Sequence, residues 1–134
     1  MASILKVDTI TGVTTAGSIA ITGEGNSTTT NLQQGLCKVW YEMGSDFALD
    51  DSLNMASVTD DGTGIITYAY TNSMANASYA PTAGPTSGAR NTTFIVVETT
   101  TLSTSGAEAS IGTVGGSNAL SDSAHAMSLH GDLA

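Results

Sequence analysis

Apolar and polar residues alternate most cleanly over residues 65–71, where Ile66, Tyr68 and Tyr70 share one face and Ile65, Thr67 and Ala69 the other. That period of two predicts a strand with one face buried. Similar patterns predict strands over 36–43, around Val39, Trp40 and Tyr41, over 53–59, over the β-branched stretch 92–100, over 109–114 and over 125–133. A weaker strand is expected at 75–80 and a very short one at 47–49. Leu120, Ala124 and Met127 fall at helical spacing, but the serines and the alternation of His125, Met127 and Leu129 favour a strand there. Turn signals separate these pieces: Gly44-Ser45-Asp46, Asp50-Asp51 and above all Asp60-Asp61-Gly62-Thr63-Gly64, whose Asp-Gly pair tolerates positive φ. Both prolines fall in 81–90 with two glycines, which predicts a long exposed loop.

Residues 1–35 follow a different pattern. They contain no aromatic residue and no proline, and they offer two short β-prone pieces, 4–10 and 18–22, before a polar stretch at 23–31. Their apolar content is the eight aliphatics Ile4, Leu5, Val7, Ile10, Val13, Ile19, Ile21 and Leu32. Burying so few side chains does not offset the conformational entropy of ordering the whole segment. The segment is therefore expected to order against other chains, with Ile4, Leu5, Val7, Ile10, Ile19 and Ile21 as contact residues, or else to remain mobile. Two regions result: an extended attachment and oligomerisation arm at 1–35, and a β-domain at 36–134. Seven or eight short strands in the latter predict an all-β, antiparallel β-sandwich of jelly-roll type.

Composition narrows the function. Only 11% of residues are charged, against about 25% in an ordinary globular domain. Thr, Ser, Gly and Ala make up about half of the chain. The formal net charge is −9, and the cations are Lys6, Lys38 and Arg90, far apart in sequence. Binding nucleic acid by phosphate neutralisation needs clustered cations, so no nucleic-acid partner is expected. No apolar run approaches the roughly 18 residues of a spanning helix, so no membrane insertion is expected. Residues 1–6 lack the basic-then-apolar pattern of a secretion signal. The single cysteine, Cys37, excludes an intrachain disulfide.

Each candidate for chemistry has an ordinary explanation. Asp50-Asp51 and Asp60-Asp61 could gather a hard cation, but turn chemistry explains both pairs and neither forms an EF-hand loop. His125 and His130, five apart, point to opposite faces of one strand, which argues against a shared metal site. No serine sits in a nucleophile elbow, and Cys37 reads as a small buried hydrophobe beside Trp40. Glu42, Glu98 and Glu108 could pair as glycosidase carboxylates only if the fold brought them together. No catalytic, cofactor or metal residue is assigned. Most aromatics are needed for a core, and Tyr79, beside the 81–90 loop with Arg90, is the expected receptor-facing pair.

The stretch Ala2-Ser3-Ile4-Leu5-Lys6-Val7-Asp8-Thr9-Ile10 resembles the start of fibre-like virion proteins of tailed marine bacteriophages. Asn31-Leu32-Gln33-Gln34-Gly35-Leu36, Lys38-Val39-Trp40, the stretch from Asp51 to Gly64, Asn72-Ser73-Met74-Ala75-Asn76-Ala77-Ser78-Tyr79 and His130-Gly131-Asp132-Leu133-Ala134 are similar to the same family. The resemblance implies a non-enzymatic virion appendage made in the cytoplasm of a bacterial host. It also implies a homotrimer contacting other tail or capsid proteins and a host surface glycan or protein. It does not separate a tail fibre from a head decoration protein. A glycan-acting enzyme is the minor alternative.

Overall fold

The computed structural model describes residues 4–13, 19–22, 29–86, 93–97, 101–113 and 119–134. The strands are β1 Ala20–Thr22, β2 Thr29–Asn31, β3 Cys37–Met43, β4 Leu49–Leu53, β5 Met55–Gly62, β6 Ile65–Tyr70, β7 Ala80–Pro85, β8 Thr93–Val97, β9 Gly106–Thr113 and β10 His125–His130, with one short helix, α1 Leu32–Gly35. Two four-stranded antiparallel sheets, ordered β4-β3-β10-β7 and β5-β6-β9-β8, form an all-β domain of the sandwich kind, and β1-β2 is a separate hairpin.

Alternation decides what the core contains. Val39, Tyr41 and Met43 of β3 stand opposite Leu129, Met127 and His125 of β10. From the other sheet come Ile66, Tyr68 and Tyr70 of β6 with Ala107, Ala109 and Ile111 of β9. Tyr68 faces Ala107 and Ile66 faces Ala109 across the ladder, so small residues on β9 make room for large ones on β6. Tyr41 and Tyr68 meet between the sheets with ring centroids 6.0 Å apart, and the Tyr68 hydroxyl lies 3.6 Å from Met127 Sδ.

Between β4 and β5 the chain passes from one sheet to the other through a single residue. Asn54, between β4 and β5, adopts φ 62. Its Oδ1 accepts from the Asn72 backbone N–H at 2.7 Å, its Nδ2 donates to the Asn72 carbonyl at 3.0 Å, and its own carbonyl accepts from Thr71 N–H at 3.0 Å. Asparagine tolerates the left-handed region better than most residues, and its side chain locks the corner. At the β5–β6 turn, Gly64 has φ 67, and a Cβ there would collide with the Ile111 carbonyl. Ile111 N–H donates to the Gly64 carbonyl at 2.7 Å, and Gly64 N–H donates to Asp122 Oδ1 at 2.7 Å.

Several expectations need correction. The proline-rich stretch is largely strand: β7 spans Ala80–Pro85, and 75–79 is irregular instead. β7 lies at a sheet edge and pairs only with β10, where Pro81 faces Leu129 and Pro85 faces His125. Residues four apart present their backbone nitrogens to the same side, so both missing N–H groups fall on the open edge, where the ladder loses nothing. Asp50-Asp51 is not a turn either. Both residues lie in edge strand β4 with exposed side chains, and the chain reverses earlier, at Gly44 to Ala48, with Phe47 at φ 57 inserting into the core. The all-β, two-sheet antiparallel architecture matches expectation. The consecutive pairs β3–β4, β5–β6 and β8–β9 each stay within one sheet, because short connections keep them hydrogen-bonded.

Candidate interaction surface

Six of the eight aliphatic side chains of the arm are exposed. Ile4 is 78% accessible, Leu5 80% and Val13 97%, with Val7, Ile10 and Ile21 also more than half exposed. Ile19 is partly buried, and its carbonyl accepts from Leu32 N–H at 2.8 Å. Residues 4–13 form no strand, and β1 and β2 pair only with each other. The arm meets the domain through α1, which is capped by Asn31 Oδ1 accepting from Gln34 N–H at 3.1 Å. Gln34 Nε2 then donates to Asp132 Oδ2 at 3.4 Å.

Tyr79 does not present its ring to solvent. Tyr79 is 7% exposed, contrary to expectation, and its hydroxyl is a hub inside the domain. It accepts from Tyr70 Oη at 3.0 Å and lies 3.1 Å from the Ser103 carbonyl and 3.3 Å from that of Gly106. These hydrogen bonds hold a phenol at the start of an edge strand inward. Arg90 lies outside the described residues.

All four tyrosines and Phe47 are buried, which leaves Trp40 as a half-buried aromatic on the outer side of β3. Tyr41 and Val39 face the core, so pleating turns Trp40 and Glu42 outward. The register builds two rows across this outer face: Leu53, Trp40, Ser128, Thr82, and Asp51, Glu42, Ala126, Gly84. Between the indole and β7 the small side chains leave an open trough of about 450 Å³, lined by Trp40, Glu42, Thr82, Gly84, Ala126 and Ser128. A Cβ on Gly84 would meet nothing within 4 Å. Leu53, beside Trp40, is 47% exposed. The sequence carried a signal for this surface, since Glu42 marks the outer face of β3 and Trp40 shares its parity.

The other candidates settle individually. His125 is fully buried, and its Nδ1 lies 2.8 Å from the Ser123 carbonyl. A carbonyl only accepts, so the network places the proton on Nδ1, and Nε2 accepts from the Tyr41 hydroxyl at 3.1 Å. Burial holds the His125 imidazole below its usual pKa, against the opposing effect of the Ser123 bond. Burial likewise pushes the phenols of Tyr41, Tyr68 and Tyr70 far up. His130, on the opposite face of β10, lines a separate cleft with Gln34, Ser78 and Asp132. Cys37 is half-buried, with Sγ 3.0 Å from the Val39 carbonyl. Asp60 Oδ1 accepts from Gly62 N–H at 3.0 Å, the expected turn chemistry. Glu42 and Glu108 project from the outer faces of different sheets and do not meet, and Glu98 lies outside the described residues. Among the described residues, no group of three or more His, Cys, Asp or Glu is placed to hold a metal ion, and no helix is long and apolar enough to cross a membrane.

Comparison with protein-family models, curated proteins and solved structures finds no match to this chain.

Proposed function

We propose that the protein is a non-enzymatic structural component of a phage particle, a homotrimeric tail fibre or spike-like appendage that joins the virion through residues 1–35. The observation that carries this reading is the exposed aliphatic series Ile4, Leu5, Val7, Ile10 and Ile21, beside a domain whose own core is already closed. A solvent-exposed series of this kind is stabilised by association. Threefold assembly would bring three arms together and bury those side chains. The resemblance of residues 2–10 and 31–40 to fibre-like virion proteins supports the same reading. So does a fabric of antiparallel strands and small polar residues, suited to a particle exposed to the outside.

One observation favours a second reading. Tyr79, the side chain nearest the expected receptor loop, is committed to the interior. That removes support from host attachment and adds weight to a capsid decoration protein, whose affinity comes from many shared contacts with the shell. Mild disruption of particles separates the two, because the protein leaves with tails in the first case and with heads in the second. Deleting residues 1–35 is expected to leave a cooperatively folding β-domain that no longer enters particles. Wild-type incorporation of that truncation would refute the role of the arm.

A further inference from the structure

Trp40 and Leu53 lie side by side on the outer face of the β4-β3-β10-β7 sheet, and an open trough of about 450 Å³ lies next to them. Directly opposite each other in the adjoining row stand Asp51 and Glu42, and like charges so placed repel. The face thus sets Leu53 and Trp40 in one row beside two carboxylates in the next. The arm offers the complement. Ile4-Leu5-Lys6-Val7 carries three exposed aliphatics around Lys6, the only cation of residues 1–35.

We propose that the trough beside Trp40 is the seat for residues 4–10 of a second copy of this chain. Leu5 and Val7 fill the space over Ala126, Gly84 and Ser128, and Lys6 relieves the Asp51–Glu42 repulsion. This inference rests on reading the arm as an assembly element, and it adds the surface that receives it. Because the same sheet holds both rows, one arm engages apolar and acidic contacts together, and identical subunits can pass arms from one to the next around a closed ring.

The chain contains one tryptophan, so its fluorescence reports on this trough alone. Full-length protein is diluted through its association range while the Trp40 emission maximum and acrylamide quenching are followed. Assembly is expected to shift emission to the blue and to shield the indole. Gly84→Val, which fills open space on the outer face, and Leu5→Asp, which removes an apolar side chain from the seat, should each weaken association at least tenfold. Gly84→Val should do so with an unchanged unfolding transition. In a Cys37→Ser background, Leu5→Cys with Ser128→Cys should give disulfide-linked oligomers on oxidation.

Trp40 emission that stays constant through assembly, cross-links confined to one chain, or full association of Gly84→Val would overturn the seat. Quenching of Trp40 by neutral oligosaccharides in place of assembly would assign the trough to a glycan and also overturn it. If Leu5→Asp abolishes association while Gly84→Val does not, the arm keeps its role and only the seat is wrong. If Leu5→Asp leaves association and incorporation intact, the reading of the arm itself fails.

Discussion

The arm and the sandwich both contain aliphatic side chains, yet only one of them hides those side chains. Leu129 and Val39 are fully buried, because each lies in a strand with partners and faces a second sheet. Leu5 is four-fifths exposed, because residues 4–13 have no strand partner and no facing layer. Hydrophobicity alone therefore does not decide burial; the ladder and the opposing sheet do. A segment lacking both is stabilised only by what another molecule supplies.

The sharpest way to break this contrast is a matched pair of truncations. Tyr68→Ala removes a ring that touches Tyr41, Tyr70 and Met127 and should cost about 3–5 kcal/mol in chemical unfolding. Leu5→Ala should leave the unfolding of dissociated chains unchanged within about 0.5 kcal/mol. Equal losses would mean that the arm belongs to the folding unit. A finer probe is the corner: Asn54→Ala loses all three side-chain bonds to Asn72 and puts a Cβ-bearing residue without them at positive φ, and should destabilise by about 2–3 kcal/mol. Asn54→Gly keeps the backbone freedom and should recover part of that loss in the same urea titration.

The smallest effect is a pH dependence confined to the sandwich. His125 is buried neutral with a lowered pKa, so the unfolded chain takes up a proton that the folded chain resists. Its contribution is fully present above the unfolded value of about 6.5 and is lost as pH falls from there toward the folded value. Urea midpoints between pH 7.5 and 5 should therefore fall more steeply for the wild type than for His125→Gln. Parallel curves would exclude this residue as the source.

Some of this was legible in the sequence for a physical reason. β3, β6 and β10 lie in the middle of their sheets, where one face meets the core, and their apolar residues alternate accordingly. The Asp60–Gly64 turn was legible because its backbone demands glycine. Edge strands were not. β7 carries two prolines and β4 two aspartates, and an edge tolerates both since one side of its backbone makes no ladder bonds. Tyr79 was misplaced because its burial depends on Ser103 and Gly106, more than twenty residues away, which no local pattern encodes. In the candidate surface, the apolar arm was visible as a run that could not bury itself. The trough was not, since it arises from small residues on β7 and β10 that only the register brings beside Trp40.

His130 stands across from Cys37, so the polypeptide enters and leaves the β-domain at the same pole. Tension between those two points would peel β10 from β3 one hydrogen bond at a time, the weakest direction in which to load a sheet. Attachment through the leading segment alone, as we propose, avoids that geometry, because force arriving at the opposite pole, near Ser45 and Thr86, then runs along the strands in shear. A β-domain attached in that way is held at one pole and leaves the other pole free.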